Sequence, residues 1–299
     1  MNTSSKEHLA QRHSRYDINA AKDYFYNDLK GLTVIELAIT ELCTRKCGFC
    51  PRADSDNYPN QKLFMSQETI TNLANSCKEY NYQGDFHISG FGESYTNKEF
   101  LTLVRTLRGI LPENRIVVTT NGDLLNVDTI RKTYSAGINY MIVSCYDGKE
   151  SMDNFASLYS TSGISDSEYE IRKLWLDPGE TVEEMMKRNK FNNRSGAVVV
   201  EEMKSDFCKN KCYLPFYKLV IDWNGDALLC CNDWYRKHKG FGNINDMSLK
   251  DIWYGDDFRK VRGDLNEGKR KGPACSNCNI NGIFVGEKSV EVLSQHKYS

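Results

Sequence analysis

The chain has 299 residues and a net charge of −1, with 39 Lys and Arg residues against 40 Asp and Glu residues. This length suffices for one large domain or for a large and a small one, and the balanced charge gives no electrostatic reason to expect nucleic acid or a membrane surface as a partner. The polar N-terminus lacks a signal sequence, and no segment has the roughly 18 apolar residues of a transmembrane helix, so we expect a cytoplasmic protein.

Residues 1–30 are polar and rich in aromatic side chains, and they predict an N-terminal extension. Beyond them, segments with strand and helix patterns alternate. Strands are predicted over 33–40, 85–89, 115–119, 140–144, 169–175 and 197–201, and helices over 66–80, 97–111, 126–135 and 181–189. This alternation predicts a parallel sheet, and about six units are too few for a closed eight-stranded barrel. We therefore expect an α/β fold with a partial (β/α)6 TIM-like barrel over residues 31–203.

Residues 204–299 predict a smaller α+β domain. Apolar runs on both sides of Asn224-Gly225 are typical of a β-hairpin with a tight turn, and residues 248–259 have the spacing of an amphipathic helix. The hairpin would bring Cys212 and Cys230 close together.

Eleven cysteines are many for a cytoplasmic chain, and they favour metal sites over a disulfide framework. They form two groups, one within residues 43–50 and one within residues 208–278. Cys77 and Cys145 lie between the groups and are expected to pack in apolar surroundings.

The first group is a C-x3-C-x2-C triplet, which directly follows the first predicted strand. Three thiolates this close can bind three irons of a [4Fe–4S] cube, and the fourth iron then keeps an open coordination site for chemistry. Structural zinc sites instead prefer paired C-x2-C units with four closed ligands, and a disulfide needs an oxidising compartment. The triplet consists of Cys43, Cys47 and Cys50.

With Phe49 before its last cysteine, the triplet resembles the C-x3-C-x-Φ-C motif of the radical SAM family, in which Φ is aromatic. The resemblance implies a partial-barrel core and a [4Fe–4S] cluster whose open iron binds S-adenosylmethionine (SAM). It further implies that one electron cleaves SAM to methionine and a 5′-deoxyadenosyl radical, which takes a hydrogen atom from a substrate. A reductant of the flavodoxin or ferredoxin type would supply the electron.

Further residues at predicted strand ends match that family. Gly92 and Glu93 match the end of its Gly-Gly-Glu segment, which holds the SAM amino group, although Phe91 departs from that segment. By the same resemblance, Asn121 would lie near the SAM ribose and carboxylate, Ser144 against the cofactor, and Arg194 toward the cofactor or substrate. A plain strand-to-helix turn, an Asn-Gly turn and a solvated Arg at a helix end remain the structural alternatives.

The stretch from Cys212 to Cys278 resembles the SPASM/Twitch domains that follow radical SAM cores, in the shorter Twitch form. The resemblance implies one auxiliary [4Fe–4S] cluster. Cys231 remains an alternative to Cys230, Cys208 to Cys212, and zinc to the cluster, because a site of four soft thiolates suits both metals. The implied ligands are Cys212, Cys230, Cys275 and Cys278.

These features predict a radical SAM enzyme that oxidises or epimerises a polar small molecule, such as a sugar or an aminocyclitol. An auxiliary cluster that accepts an electron leads to oxidation, whereas a thiol that returns a hydrogen atom leads to epimerisation, with Cys145 and Cys231 as candidate donors. Peptide modification is the alternative within enzymes, although no leader-binding segment precedes the predicted core. The alternative from another class is an iron–sulfur electron carrier or a zinc-stabilised binding protein.

Overall fold

The structure of the chain, a computed structural model, describes residues 15–16, 28–198, 210–236 and 240–295. Most of the predicted N-terminal extension, Cys208 and residues 199–201 lie outside the described residues. Of the extension, Arg15 and Tyr16 contact the amino ends of the strands: Arg15 donates to Asp85 over 2.7 Å, and the Tyr16 hydroxyl lies 3.5 Å from His87 Nε2.

Strands and helices alternate through the first part of the chain and then give way to a hairpin and short helices. The strands are β1 (Val34–Leu37), β2 (Asp85–Ile88), β3 (Ile116–Thr120), β4 (Tyr140–Cys145), β5 (Tyr169–Lys173), β6 (Lys218–Ile221) and β7 (Ala227–Leu228). The helices are α1 (Gln67–Glu79), α2 (Phe100–Ile110), α3 (Val127–Ala136), α4 (Lys149–Ser162), α5 (Val182–Asn189), α6 (Leu214–Tyr217), α7 (Leu249–Trp253), α8 (Asp256–Asn266) and α9 (Glu287–Ser294).

The strands form one sheet in the order β5-β4-β3-β2-β1-β6-β7. All neighbouring pairs are parallel except β6 with β7, which is the predicted hairpin. Helices α1 to α4 contact one another in chain order along the sheet. The predicted fold class, a partial barrel followed by a small hairpin-containing unit, is confirmed. Because the strands are parallel, the loops after β1 to β5 meet at one edge, where α/β folds place their chemistry.

The predicted last strand over 197–201 is wrong where the structure describes it. Ala197 and Val198 follow a short 3-10 turn, Arg194–Gly196, and are not paired in the sheet. The sixth parallel strand is β6, which comes from the C-terminal hairpin and pairs with β1 in the register Val34 to Lys218. A run of Val residues reports only a local preference, whereas strand pairing is decided by tertiary packing. The predicted domain boundary after residue 203 therefore separates two parts of the chain whose strands belong to one sheet.

Several helical segments also differ from expectation. Helices α4, α6 and α9 were not predicted, and the single helix expected over 248–259 is two helices, α7 and α8. They are separated at Tyr254 and Gly255, and Gly255 is the extended N-cap residue of α8.

The sheet has one apolar face and one mixed face, on which Val117, Ile142 and Val220 lie among charged side chains. Side chains that face the helices form the core, and they include Leu37, Ile88, Val118, Val143 and Ile171. Alternate residues point to the opposite face, which we call the inner face. This face carries ion pairs: Lys218 Nζ lies 2.5 Å from Glu36 Oε2, and Arg172 Nε lies 2.5 Å from Glu170 Oε1. Closed barrels of this class usually fill such layers with branched apolar side chains.

Candidate active site: two groups of cysteine thiols

The loop after β1 carries the predicted triplet Cys43, Cys47 and Cys50, and we call it the three-thiol loop. Its backbone is fixed by Asn60, whose side chain accepts from the Cys43 N–H over 2.8 Å and donates to the Cys43 carbonyl oxygen over 2.8 Å. Burial raises the pKa of the Cys43 thiol and raises that of Cys47 to about 12, and the neighbouring thiols add to both shifts. Three half-buried thiols this close together can bind one iron–sulfur cluster when they are deprotonated.

Arg45, inside the C-x3-C spacing, fastens this loop to the ends of two further strands. Its guanidinium lies 2.5 Å from Asp123 after β3 and 2.5 Å from Asp147 after β4. The hydrogen bonds to Asp147 and Asp123 hold the pKa of Arg45 above its usual value. The adjacent Thr44 hydroxyl donates to Asp123 over 2.7 Å. These ion pairs were not predicted from the sequence, in which the only signal for them is a cationic residue between Cys43 and Cys47.

Glu93 and Asn121, the residues that the family resemblance predicts to contact SAM, lie beside the same loop. The buried Glu93 carboxylate accepts from the Asn121 N–H over 2.7 Å and from the Thr120 hydroxyl over 2.8 Å. Burial raises the pKa of Glu93. The Asn121 side chain donates to Thr44 over 2.8 Å and lies 3.8 Å from Cys43 Sγ. The ends of β2 and β3 are therefore joined to the three-thiol loop.

Gly92 is required by close packing of the backbone. A Cβ at this position would lie 2.5 Å from the Thr40 carbonyl oxygen and 2.7 Å from that of Leu42. The turn after β2 thus lies directly on the chain that leads into the three-thiol loop.

Phe91, which departs from the family's segment, is buried beneath the C-terminal part of the chain. Its ring meets Trp234 edge-on with 4.8 Å between ring centroids, and the Arg236 guanidinium lies 4.5 Å from its centroid. Arg52 donates to the Phe91 carbonyl oxygen over 2.6 Å. No pattern in the sequence indicates these long-range partners.

The same two arginines form a buried ion network that connects both parts of the chain. Arg52 lies 2.6 Å from Glu41, just before the three-thiol loop, and Arg236 pairs with Glu41 as well. Arg236 Nε also lies 2.6 Å from Asp222, at the end of β6. Two cations thus balance two carboxylates beside the loop.

Phe49 borders an apolar cavity at the carboxyl edge of the sheet. Its ring stacks on Phe191 with 4.6 Å between centroids and on Tyr146 with 5.7 Å. The cavity has a volume of about 610 Å³, and Trp175 and Met185 are among its lining residues. This volume lies in the range of small-molecule sites. Ser144, on the inner face one residue before Cys145, is buried at this edge, and burial raises the Tyr146 pKa.

The structure also brings together the four cysteines implied for the auxiliary cluster. They line one small cavity with Ser195 and Asn232. Burial raises the pKa of Cys230, and the neighbouring Cys231, Cys275 and Cys278 add to this shift. Burial also raises the pKa of Cys275 to about 12, and Cys212 and Cys278 add to that shift. The four residues are Cys212, Cys230, Cys275 and Cys278.

Cys230 and Cys231 occupy different surroundings. Cys230 lines the four-thiol cavity, whereas Cys231 packs, with Cys50 and Ala197, on an apolar cluster that includes Phe91 and Trp234. This placement favours Cys230 as the ligand and leaves Cys231 on the side of the three-thiol loop.

Cys145 is not placed where a hydrogen donor would be useful. Its side chain belongs to the helix-facing core, on the face of β4 opposite to Ser144, and its thiol lies 3.6 Å from the Gly148 carbonyl oxygen. Arg194, in contrast, reaches toward the C-terminal part of the chain. Its Nη1 donates to Asn232 over 3.2 Å, one residue after Cys231.

The donor sets fit two iron–sulfur clusters. Three thiols on one loop leave one corner of a cube open, and four thiols around a buried cavity can close a second cube. Among the described residues, no three Cys, His, Asp or Glu side chains are placed so that they could together hold a single metal ion. No helix in the described ranges has the length and apolar character needed to cross a membrane.

Two families match the chain: the radical SAM superfamily over residues 37–162, and an iron–sulfur cluster-binding domain, SPASM, over residues 212–279. A curated relative, the S-adenosyl-L-methionine-dependent 2-deoxy-scyllo-inosamine dehydrogenase of Niallia circulans, is 26% identical over 88% of this chain and 99% of its own length. The GTP 3′,8-cyclase of Psychromonas ingrahamii is 27% identical over 43% of this chain and 37% of its own length.

Solved structures show the same fold. BtrN in complex with AdoMet and 2-DOIA superposes with a TM-score of 0.69 at 23% identity, over 86% of this chain and 96% of that one. Native anSMEcpe with bound AdoMet superposes with a TM-score of 0.54 at 14% identity, over 88% and 95%. Taken with the two thiol groups and the residues around them, these matches show that the chain belongs to the radical SAM superfamily, as an enzyme with a C-terminal SPASM domain whose cofactors are SAM and [4Fe–4S] clusters.

Proposed function

We propose that this enzyme dehydrogenates a secondary alcohol of a polar ring compound, an aminocyclitol or a related sugar, to the ketone. The single observation that carries the proposal is the neighbourhood of the two thiol groups. Cys231, adjacent to the four-thiol cavity, packs on the same apolar cluster as Cys50 of the three-thiol loop. A closed second cluster so near the radical site can accept the second electron of an alcohol oxidation.

The ion pairs of the inner face support a substrate rich in hydroxyl and amino groups. Glu36 and Lys218 are almost fully buried, and such a pair is weak as a source of stability, because desolvation of two charges offsets their attraction. A polyhydroxylated ring offers the complementary donors and acceptors, as would the substrate in the name of the Niallia circulans relative.

When bound, the clusters and SAM supply a 5′-deoxyadenosyl radical for hydrogen abstraction and an acceptor for one electron. In the proposal, Cys43, Cys47 and Cys50 hold the first cluster, and Cys212, Cys230, Cys275 and Cys278 hold the second. Gly92 and Glu93 bind the SAM amino group, Asn121 binds near its ribose and carboxylate, and Phe49 lines the apolar cavity that receives its adenine. Ser144 and Arg194 face the cofactor or the substrate.

Epimerisation is the second candidate reaction, and the position of Cys231 is the observation that favours it. A half-buried thiol on the apolar cluster that also contacts Cys50 could return a hydrogen atom to a substrate radical, which Cys145 on the helix-facing side could not. A peptide remains the second candidate class of substrate. We further propose a flavodoxin- or ferredoxin-type protein as the electron donor and the reducing cytoplasm as the compartment, since cysteines that hold iron–sulfur clusters must stay reduced.

The test is an anaerobic assay of reconstituted protein with SAM, a strong reductant and a panel of cyclitols and amino sugars that includes 2-deoxy-scyllo-inosamine. Dehydrogenation predicts about eight irons per chain and a ketone formed in a 1:1 ratio with 5′-deoxyadenosine. Epimerisation in deuterated buffer instead predicts a product of unchanged oxidation state with one carbon-bound deuterium, which disappears in Cys231→Ala. A reconstituted protein that forms no 5′-deoxyadenosine would refute both reactions and would favour an iron–sulfur electron carrier.

A further inference from the structure

One stretch of the chain, residues 191–198, connects the two thiol groups, and we call it the bridge segment. At its start, Phe191 stacks on Phe49 of the three-thiol loop. Further along, Ser195 lines the four-thiol cavity, and Ala197 packs against the apolar cluster of Phe91 and Trp234 that Cys50 and Cys231 also contact. A structural change at either thiol group would therefore affect the same eight residues.

The middle of the bridge segment has an unusual backbone. Arg194, Ser195 and Gly196 are consecutive residues with positive φ values of 48°, 57° and 85°. Two of them carry side chains, for which the left-handed region is unfavourable. Conformations of this kind persist only where surrounding contacts enforce them, and they cluster at functional sites.

The enforcing contacts come from the loop that carries two of the auxiliary cysteines. The Asn193 N–H donates to Asn279 Oδ1 over 2.8 Å, and the Asn279 N–H donates back to Asn193 Oδ1 over 3.2 Å. The Asn193 side chain also donates to the Asn277 carbonyl oxygen over 2.7 Å. Asn277 and Asn279 flank Cys278, so three hydrogen bonds fix the bridge segment to the auxiliary site.

This arrangement determines where Arg194 points. With the left-handed turn in place, Arg194 Nη1 donates to Asn232 over 3.2 Å, next to Cys231 and between the thiol groups. Without it, an ordinary right-handed backbone at residues 194–196 would redirect that side chain and the Phe191 ring before it.

We propose that Asn193 is a positioning residue: it transmits the state of the loop at Cys275 and Cys278 to the SAM and substrate site, by holding the left-handed turn that places Arg194 and Phe191. The auxiliary site then orders the active site in addition to accepting an electron. The part of this inference that concerns substrate rests on the proposed function, whereas the part that concerns SAM does not.

The experiment compares Asn193→Ala with Asn114→Ala in reconstituted protein. Asn114 is a matched control, because its buried side chain also makes two hydrogen bonds to the backbone, to the carbonyl oxygens of Tyr82 and Gly84, at the opposite end of the sheet. We expect Asn193→Ala, but not Asn114→Ala, to weaken SAM binding about tenfold, the loss that corresponds to buried hydrogen bonds. Cys278→Ala is expected to weaken SAM binding by a similar factor, and less than additively with Asn193→Ala.

A second arm uses kcat/KM for whichever substrate is turned over. Asn193→Ala should lower kcat/KM in the wild-type background and have a clearly smaller effect in an Arg194→Ala background, where only the placement of Phe191 can still be lost, whereas a merely structural role would give the same loss in both backgrounds. Asn193→Asp, which keeps the acceptor for Asn279, serves if Asn193→Ala fails to fold. SAM affinity and kcat/KM equal to those of Asn114→Ala would overturn the inference. Failure of every substrate would count against the proposed function, and SAM affinity would still decide the role of Asn193.

Discussion

The Arg236 ion network gives the sharpest test of how the two parts of the chain depend on each other. Arg236 pairs with Glu41, lies 2.6 Å from Asp222 Oδ2 and lies 4.5 Å from the Phe91 ring centroid. Arg236→Met keeps the apolar stem and removes the charge. Loss of one partner of a fully buried pair costs about 3–5 kcal/mol, but the Arg236 side chain is 28% exposed and Glu41 retains Arg52. We therefore expect a loss of about 2 kcal/mol.

The measurement is thermal unfolding of the reconstituted protein, in which a loss of this size lowers the midpoint by about 3 °C. Arg259→Gln is the control, because Arg259 forms an exposed helical pair with Asp256 that contributes little. Asp222→Asn should restore about 1 kcal/mol in the Arg236→Met background, since it removes the uncompensated carboxylate. Equal midpoints for Arg236→Met and Arg259→Gln would refute the reasoning.

Three further outcomes follow from the site. Burial raises the pKa of Glu93 above 4.5, so this group binds more protons in the folded state than in the unfolded chain. The free energy of unfolding should therefore fall as the pH rises from about 4.5 through the raised pKa. Urea titrations should show this slope in the wild type but not in Glu93→Gln. Gly92→Ala places a Cβ against the Thr40 carbonyl oxygen, so it should lower both iron content and SAM affinity, whereas Gly109→Ala, where a Cβ meets no atom within 4 Å, should lower neither. Cys275→Ala should reduce iron from about eight to about four atoms per chain, whereas Cys231→Ala should retain both clusters; eight irons in Cys275→Ala would contradict the proposed ligand set.

Local signals predicted the elements and the cysteine groups well, because they depend on residues close together in the chain. Ser66 caps α1 by accepting from the Thr69 N–H, and Thr181 and Glu184 form a capping box at α5. The triplet of Cys43, Cys47 and Cys50 is likewise a short-range pattern, and the loop after one strand is sufficient to hold it.

The auxiliary site was predictable for a different reason. Its four cysteines are spread from residue 212 to residue 278, but the hairpin that follows Cys212 returns the chain to the same cavity at Cys230, and the C-x2-C spacing makes Cys275 and Cys278 neighbours. What the spacing left open was the choice within the doublet. Only packing separates Cys230, in the cavity, from Cys231, on the apolar cluster beside Cys50.

By itself, the sequence determined the strand–helix alternation, the three-thiol loop and the hairpin, since hydrophobic periodicity, caps and turns act over a few residues. The tertiary structure decided which strand lies beside β1, which face Cys145 occupies and which residues connect the thiol groups. Each of these depends on contacts between distant parts of the chain: Lys218 with Glu36, Arg236 with Glu41, and Asn193 with Asn279. Such contacts leave no periodic trace in the sequence, because their partners are selected by packing of the whole sheet.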